Sequence, residues 1–425
     1  MKRQIGRIIA VIFQRGKRRS RLTKLIGIII VLQVLQFFWT VLHVNKNDLK
    51  IPTLKKNVAG YINVGKVFDR NVTLEQPYRI KFDLKDKRVL RDLKYGTCAE
   101  VPSLNTTNLS FLPHTSSLSD WTFTRTQKCP EFSTKKIRQH QKTFTLSNCV
   151  NATNSSSIYS VNFGDPCLLA YIESCCRDNL PVPNIVHYVW FGTKKLGYFN
   201  FLSLMSSIRF QRPCLILIHG PTLPHGEYWD FIYKFYPNIL HVYRESPTVV
   251  FNNTLRFKEH ASDVMRIEAL INYGGIYLDF DEVILRPLDT LRQYNHTQGH
   301  ELSFTMGSQL VMSRKNATFL QLWYQSYRDN YRKIWAYNAL WVPNGLAKKY
   351  PKLIHVEGYN FTRPSWKNAK DIFDNNYDWS TNYGMHMYAR WYKRPIDVKI
   401  IRTLNTTVGS VSRHILFGNK ELCLS

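Results

Sequence analysis

The chain has 425 residues, of which 44% are hydrophobic and 14% aromatic, so it can bury a substantial core and wholesale disorder is excluded. Its formal net charge is +28, and nine of the basic residues stand within the first 24 positions. Charge alone would suit nucleic acid, acidic glycans or phosphorylated ligands, but the segment that follows argues against a soluble nuclear protein and a nucleic-acid partner.

The segment 25–44 predicts a membrane anchor. It has twenty residues without a formal charge, and a helix of that length spans roughly 30 Å of hydrocarbon. A cleaved signal peptide would have a shorter apolar stretch that ends in small residues, whereas this one ends in bulky residues. The basic tail, residues 1–24, precedes the anchor. The positive-inside rule therefore predicts a cytosolic tail, type II topology and a luminal location for residues 45–425.

Sequons and cysteines agree with this topology, because all ten Asn-x-Ser/Thr sequons and all eight cysteines follow the anchor. An even number of cysteines in an oxidising compartment predicts disulfides, although their pairing is left open. A zinc site is the alternative, and the lack of repeated C-x-x-C spacing disfavours it. The sequons are at Asn71, Asn105, Asn108, Asn151, Asn154, Asn252, Asn295, Asn316, Asn360 and Asn405, and the cysteines are Cys98, Cys129, Cys149, Cys167, Cys175, Cys176, Cys214 and Cys423.

Composition divides the part of the chain after the anchor. Residues 45–95 are rich in Lys and Asn and predict a stem. Residues 96–180 hold six of the eight cysteines and predict a Cys-rich, glycosylated stem or cap. From Pro181, short apolar runs alternate with helical patterns, which indicates an α/β domain over residues 181–425. Its predicted elements are strands at Asn184–Phe191, Cys214–His219, Ile239–Tyr243 and Ile276–Leu278 and a helix at Ala261–Tyr273.

Two carboxylates stand at the end of the last of these strands. Asp279 and Asp281 lie at its carboxyl end, where open α/β sheets bind ligands. Side chains two positions apart on a strand point the same way, so both carboxylates are expected to face one cation. Hard oxygen ligands suit Mn²⁺ or Mg²⁺, which bridges to substrate phosphates. The D-x-D pair alone is a weak signal, since any acidic turn supplies one.

The predicted helix before this strand adds two charged residues. Asp263 and Arg266 are three apart and therefore neighbours on one helix face. One interpretation is a buried ion pair, and the other is that Asp263 accepts hydrogen bonds from sugar hydroxyls while Arg266 contacts the donor. Gly274 and Gly275 then end the helix, and they would also let the backbone approach a nucleotide closely. Both interpretations stand.

The run SDVMR…YGGIYLDFD, which ends at Asp281, resembles the DXD signature of glycosyltransferase family 32. The resemblance extends from about Pro181 to about Lys393, roughly half of the chain. The segment NIVHYVWFG at 184–192 is similar to the first strand of these domains, which also occurs in clostridial glucosylating toxins. In those toxins the tryptophan that matches Trp190 stacks on the nucleotide base.

A second block of the same family is similar to YGMHMYARWY at 383–392. The family pattern there is Tyr-Ala-hydrophobic-His-hydrophobic-Trp. This chain has Gly384 in place of the alanine and Tyr388 in place of the tryptophan, which leaves the role of the aromatic residue open. The histidine is kept as His386, and the resemblance implies that it joins the metal site.

The resemblance implies a GT-A-like fold with a mixed central sheet, a nucleotide-sugar donor (a UDP- or GDP-sugar) and a glycan or glycolipid acceptor. It also implies Mn²⁺ (or Mg²⁺) as cofactor, retention of anomeric configuration and a Golgi membrane location. The donor sugar, the acceptor, a nucleophile and the oligomeric state stay open. The implied roles are catalysis by Asp281 and Arg266, substrate binding by Trp190, Asp263, Arg266, Gly275 and Asp279, and metal binding by Asp279, Asp281 and His386.

Two other functions compete with this one. LDFDEV at 278–283 fits the D-x-D pattern of a haloacid-dehalogenase-type phosphatase, but such enzymes open the domain with that strand and carry a later Gly-Asp-x-x-x-Asp motif that this sequence lacks. A membrane-anchored glycan-binding protein or inactive relative is disfavoured by the intact set of charged residues. Several further side chains are candidates for an acceptor groove or a sugar contact, with core packing as the alternative for each: Trp335, Tyr337, Trp341, Trp366, Ser308 and Gln309.

Overall fold

The fold is that of a computed structural model of the chain. It describes residues 93–96, 160–236, 238–358 and 360–423. The predicted tail, the predicted anchor and most of the predicted stem and cap lie outside these residues. Within them, no helix combines the length and the apolar character needed to cross a membrane. The anchor and its topology therefore stay predictions.

The described residues form fourteen strands and eight α-helices, joined by turns and short 3₁₀ and π segments. The strands are β1 (Tyr95–Gly96), β2 (Ser160–Asn162), β3 (Ile185–Val189), β4 (Leu215–Gly220), β5 (Ile239–Tyr243), β6 (Val249–Val250), β7 (Asn253–Thr254), β8 (Gly275–Leu278), β9 (Glu282–Ile284), β10 (His296–Leu302), β11 (Thr305–Ser313), β12 (His355–Glu357), β13 (Gly384–His386) and β14 (Leu422–Cys423). The helices are α1 (Pro166–Cys175), α2 (Tyr198–Ser206), α3 (Glu227–Phe235), α4 (Lys258–Tyr273), α5 (Thr318–Asp329), α6 (Val342–Lys349), α7 (Ala369–Asp374) and α8 (Thr407–Phe417).

Eight of the strands form one mixed sheet in the order β12–β10–β11–β8–β3–β4–β5–β2. From β2 to β8 the neighbouring strands are parallel, whereas β11 runs antiparallel to both β8 and β10, and β12 is parallel to β10. The prediction of an α/β domain with a mixed central sheet is confirmed. Parallel strands need crossover connections, and the helices that make them cover the sheet.

Strand β4 shows why the sequence of this sheet is so apolar. All of its residues are buried. Ile216 and Ile218 pack in one hydrophobic core with residues of α2 and α8, while Leu215 and Leu217 pack in a second core with residues of α1. Successive side chains on a strand point to opposite faces, so a strand covered on both faces needs an unbroken apolar run.

The predicted elements of the α/β domain are all present, and their ends differ by no more than three residues. Ile239–Tyr243 has the predicted bounds, and α4 begins at Lys258 instead of residue 261. Gly274 ends α4 with a φ of +70°, and Gly275 opens β8 with a φ of +114°. Both angles lie in the region that glycine adopts without strain, which explains why two glycines stand there.

The sheet domain begins before Pro181, the predicted boundary. Strand β2 pairs in parallel with β5, and α1 packs against the same sheet. Asp165 caps α1, because its Oδ1 accepts the N–H groups of Cys167 and Leu168 at 2.9 and 3.2 Å. A three-residue strand carries too little alternation to be detected in a sequence. Residues 160–180 therefore belong to the sheet domain rather than to the predicted cap.

Disulfides brace this start of the domain. Cys176, which follows α1, is bonded to Cys214, which precedes β4, and their Cα atoms are 5.4 Å apart. Cys167, Cys175 and Cys423 are disulfide-bonded as well. The described part of the chain has no free cysteine, so the prediction of disulfides is confirmed for these residues.

Candidate active site

Asp279 and Asp281 stand on a tight turn between β8 and β9. The N–H of Glu282 donates to the carbonyl of Asp279 at 2.9 Å and closes the turn. Phe280, between the two carboxylates, packs inward, with its ring centroid 5.1 Å from that of Trp190. The side chains of Asp279 and Asp281 remain partly exposed, at 28% and 23%. The turn thus packs its aromatic residue against the core and leaves its two acids partly exposed.

Asp279 is held by residues of α4 and β8. Nη2 of Arg266 lies 3.2 Å from Oδ1 of Asp279 and 3.1 Å from Oδ1 of Asp263, so one guanidinium bridges two carboxylates. The hydroxyl of Tyr277 donates to the same Asp279 oxygen at 2.8 Å. Arg266 also donates from Nη1 to the Ser308 carbonyl at 2.6 Å. The side chains of Arg266 and Asp263 are each 5% exposed, so the buried ion pair is confirmed, and sugar binding by Asp263 stays a prediction.

On the Asp279 side of the site, one carboxylate oxygen is available as an acceptor. Burial raises the pKa of the Asp263 carboxyl to about 7, and the charge of Arg266 opposes that rise. Burial also raises the pKa of Tyr277 well above its usual value, so its hydroxyl stays a donor. Arg266 and Tyr277 both contact Oδ1 of Asp279. The second oxygen, Oδ2, has no hydrogen-bond donor among the described residues and is available to a ligand.

Asp281 is held by a segment far along the chain. Nε2 of His386, 105 residues away, lies 3.0 Å from Oδ1 of Asp281. The N–H of Ala389 donates to Oδ2 at 2.9 Å, and the N–H of Met387 donates to the Asp281 carbonyl at 2.8 Å. The antiparallel pairing of β9 with β13 sets this geometry, because it places His386 opposite Glu282.

Asp281 and His386 form a charged pair at neutral pH. Burial raises the pKa of Asp281, but His386, the N–H of Ala389 and Arg390 outweigh it and hold the pKa below its usual value. Burial lowers the pKa of His386, but Asp281, Glu282 and the remaining acid of the turn outweigh it and raise the pKa to about 10. Each group thus stabilises the charge of the other.

Glu282, next to this pair, is a buried acid without a hydrogen-bond partner among the described residues. Its side chain is fully buried, and neither carboxylate oxygen has a hydrogen-bond partner among the described residues. Burial raises its pKa well above the usual range, and the charge of His386 opposes that rise. A Cβ on Gly384 would lie 2.7 Å from Oε1 of Glu282. The glycine that replaces the family's alanine therefore makes room for this glutamate.

Asp279, Asp281 and His386 fit one divalent cation. Each offers one ligand atom, and the three atoms all lie within 4.8 Å of one another. Mn²⁺ accepts two carboxylate oxygens and, once it has displaced the proton between His386 and Asp281, one imidazole nitrogen, whereas Mg²⁺ is served by the two oxygens. The structure brings together the three residues that the sequence assigned to the metal.

Trp190 and Gly275 are placed beside the turn, and packing accounts for both. Trp190 is 9% exposed, and its indole N–H donates to the Gly192 carbonyl at 3.0 Å. Its ring contacts Phe280 of the DXD turn. Stacking of this ring on a nucleotide base stays a prediction. A Cβ on Gly275 would lie 2.6 Å from the Ile185 carbonyl oxygen. The close approach of β8 to β3 therefore requires this glycine, and its predicted contact with a nucleotide is untested.

The remaining candidates divide into core and surface residues. Tyr337 is 3% exposed and belongs to the core. The side chain of Gln309 donates to Oε2 of Glu301 at 2.9 Å, so a neighbouring acid occupies it. Trp335 and Trp366 are 43% and 47% exposed, as expected of residues that contact a ligand.

Sequence reasoning missed three residues of this region. Tyr277 is two positions before Asp279 on β8, and the period of a strand would have placed it on the same face. Glu301 accepts the Tyr388 hydroxyl at 2.9 Å, a contact with no local sequence signal. Arg390 lowers the pKa of Asp281 and lies two residues after the last position of the family pattern, which carries no signal for it.

Comparison with known proteins gives this geometry a family context. Residues 183–298 match the family model of the glycosyltransferase sugar-binding region containing a DXD motif. The chain is 29% identical over 238 residues to glucan organizing enzyme 1 of Cryptococcus neoformans var. grubii, which covers 51% of this chain and 64% of that protein. It is 29% identical over 91 residues to the uncharacterized protein At4g19900 of Arabidopsis thaliana, which covers 20% of this chain and 14% of that protein. The chain thus spans less than two thirds of the length of these curated relatives.

Solved structures of glycosyltransferases are also similar to parts of the chain. The PaToxG glycosyltransferase is 17% identical with a TM-score of 0.30, over 40% of this chain and 69% of that one. Mouse xyloside xylosyltransferase 1, in its apo form, is 9% identical with a TM-score of 0.31, over 50% of this chain and 99% of that one. The family model alone confirms the resemblance to DXD sugar transferases that the sequence indicated.

Proposed function

Because residues 183–298 match the family model of a DXD-type glycosyltransferase region, we propose that this protein is a metal-dependent glycosyltransferase. It moves a hexose or N-acetylhexosamine from a nucleotide-sugar donor to a glycan or glycolipid acceptor. The observation that carries the proposal is the convergence of Asp279, Asp281 and His386, whose ligand atoms lie within 4.8 Å of one another.

Sugar transfer from a nucleotide-sugar donor depends more on positioned positive charge than on a covalent nucleophile, because the nucleoside diphosphate leaves with negative charge. A divalent cation held by Asp279, Asp281 and His386 would supply Lewis-acid stabilisation of that leaving group. Arg266 is buried and bonded to both Asp263 and Asp279. We therefore assign it the orientation of Asp279 rather than a direct contact with the reacting atoms.

The donor lies between the turn and β3. Trp190 stacks on the base, and its edge-to-face contact with Phe280 supports this, because it fixes the indole beside the turn. Asp263 accepts from sugar hydroxyls, and a UDP- or GDP-sugar fits this role. Retention of anomeric configuration follows the family resemblance, and the anomer of the first product, determined by NMR, tests it.

The proposed location is the Golgi membrane, with the sheet domain in the lumen. Disulfides of the described cysteines support an oxidising compartment. Four sequon asparagines of the described residues are exposed, as glycosylation requires: Asn252, Asn295, Asn316 and Asn405. Glycosidase treatment of the protein from secretory membranes is expected to raise its gel mobility. Unchanged mobility would contradict the luminal orientation.

The test of the activity uses the full chain with UDP-galactose, UDP-N-acetylglucosamine and GDP-mannose in turn. In the presence of Mn²⁺, we expect one donor to be hydrolysed and its sugar to be transferred when an acceptor is added. A chelator is expected to abolish both reactions. Glycan binding without metal-dependent donor binding would instead favour the glycan-binding alternative. An aspartyl-phosphate at Asp279 would favour the phosphatase.

A further inference from the structure

A groove of about 450 Å³ lies beside α7 and the 3₁₀ turn Ala389–Trp391. Its lining contains four aromatic side chains, four cationic ones and one acidic one. None of them has a part in the donor site proposed above. We name this surface the aromatic–basic groove, and the residues that matter below are Trp366, Lys370, Asp374, Trp391, Lys393 and Arg394.

Two of the four aromatic residues of the groove face solvent although they are large and apolar. Trp366 and Trp391 are 47% and 42% exposed. The ring of Trp391 stacks on the buried ring of Tyr388, with centroids 5.2 Å apart and planes 12° apart. Its orientation is therefore fixed before a ligand arrives, which lowers the entropy cost of binding. Exposed, preorganised indole faces are surfaces on which sugar rings stack.

The charged residues of the groove are not balanced. Arg394 pairs with Asp374, the acidic side chain of the lining. Lys370 and Lys393 are exposed, and neither has a carboxylate within ion-pair distance among the described residues. Two uncompensated ammonium groups beside the indoles attract an anionic occupant and disfavour a cationic one.

One buried carboxylate fastens the two walls of the groove together. Oε1 of Glu301 accepts the Tyr388 hydroxyl at 2.9 Å and the backbone N–H of Trp366 at 2.9 Å. Since Trp391 stacks on Tyr388, the same acid positions the ring beneath Trp391 and the backbone of Trp366. Hydrogen bonds to a buried residue therefore hold the two walls of the groove in place.

The groove lies close to the candidate active site. The N–H of Ala389 donates to Asp281, and Trp391 follows two residues later. With consecutive Cα atoms 3.8 Å apart, the Cα of Trp391 lies at most about 12 Å from the bonded carboxylate oxygen. The guanidinium of Arg390 lies between them in sequence, 5.3 Å from the ring of Trp335 and 5.4 Å from that of Trp391. A short oligosaccharide bound in the groove would therefore reach the reaction centre.

We propose that the aromatic–basic groove binds the acceptor, and that this acceptor is an acidic oligosaccharide. A sugar ring stacks on Trp391 or Trp366, and an anionic group of the glycan meets Lys370 and Lys393. The proposal rests on the transferase function proposed above and names the class of its acceptor.

The test compares two forms of one probe on the full chain: a uronic-acid-containing oligosaccharide and the same oligosaccharide with its carboxyl groups reduced to alcohols. Binding is followed by tryptophan fluorescence, and donor hydrolysis without acceptor is measured in parallel. We expect the acidic form to bind at least about fivefold more tightly, the effect of two favourable charge contacts of moderate strength. The double variant Lys370→Gln/Lys393→Gln is expected to lose that preference while donor hydrolysis is unchanged. A sulfated oligosaccharide and its desulfated form then show whether carboxylate or sulfate is preferred.

The matched control is Lys352→Gln, an exposed lysine outside the groove, which should change neither measurement. Equal affinity for the acidic and reduced forms, or a double variant that keeps the preference, would overturn the inference. If the acidic form binds as expected but no nucleotide sugar is hydrolysed, the proposed transferase function fails, while binding of an acidic oligosaccharide in the groove is supported. If the nucleotide sugar is hydrolysed but the acidic and reduced oligosaccharides bind equally well, only the inference about the acceptor fails.

Discussion

The two carboxylates of one turn are held by regions of very different distance along the chain. Asp279 is bonded by Tyr277, two residues before it, and by Arg266 on the helix just upstream. Asp281 is bonded by His386 and Ala389, which follow it by 105 and 108 residues. One half of the site is local, and the other is closed by the C-terminal part of the domain.

Because of this difference, we expect one side of the site to contribute mainly to stability and the other mainly to function. The local contacts are part of the α4–β8 unit and form with little loop-closure entropy, so we expect the Asp279 side to contribute mainly to the folding of the sheet. Closing the contact to His386 requires ordering a long stretch of chain, and it yields a partly exposed pair, so we expect the Asp281 side to contribute mainly to the reaction. Four experiments test this distinction between the two sides of the site.

The largest effect is expected from Arg266→Met. The substitution leaves the buried Asp263 and the neighbouring Asp279 without their cation, which costs about 4 kcal/mol of unfolding free energy. Urea denaturation followed by circular dichroism measures it. The control is Arg177→Met, which breaks an exposed pair with Glu173 and should cost less than about 1 kcal/mol. Similar losses in the two variants would mean that the local network does not stabilise the sheet.

The second prediction concerns acid sensitivity at the junction of α4 and β8. Nε2 of His187 lies 2.7 Å from the Gly274 carbonyl and Nδ1 lies 2.9 Å from His219. Burial lowers the pKa of His187 from 6.5 to about 4, against the Gly274 contact, which raises it. The unfolded chain takes up this proton first, so the stability that is full above pH 6.5 falls toward pH 4, by about 3 kcal/mol.

Urea denaturation at several pH values between 7 and 4 checks this sign and magnitude. The variant His187→Gln cannot take up the proton, so its unfolding free energy should vary less over the same range. An identical pH dependence in the variant and the natural protein would show that other groups cause the acid sensitivity.

The third prediction concerns Asp281→Asn, which removes a charge and nearly keeps the shape. We expect at least about a 10²-fold loss of sugar transfer, the effect of losing one preorganised electrostatic group, in a protein that still folds. Turnover with whichever of the three nucleotide sugars the natural protein uses measures the loss. The exposed Asp329→Asn is the control and should keep full turnover. Near-normal, metal-dependent turnover in a folded Asp281→Asn protein would contradict the assignment.

The smallest effect is expected from His386→Ala, measured as Mn²⁺ affinity and donor affinity separately. Loss of one ligand from a site of three should weaken Mn²⁺ binding about tenfold. The exposed His225→Ala serves as the matched control. Unchanged affinity for both metal and donor would leave His386 as a structural partner of Asp281 only.

Prediction from sequence succeeded where the partners of a residue lie close to it in the chain. The strands around the DXD turn, the helix before it and the pair Asp263–Arg266 are all contained in patterns of a few residues. His386 was joined to the metal site only through the resemblance to a family, because no periodicity connects positions so far apart. Strand β2 was missed because three residues do not establish an alternation.

The α/β character, the disulfides and the two acids at the end of a buried strand could be predicted from the residues alone, because each depends on short-range patterns or on composition. The folded structure was needed to show that Glu301 bonds to Tyr388 and to the backbone of Trp366, that Gly384 leaves room for the buried Glu282, and that two exposed indoles meet uncompensated lysines near Asp281. These depend on contacts between segments brought together by strand pairing and burial. Their energies come from desolvation and hydrogen bonding across the fold, which no local pattern records.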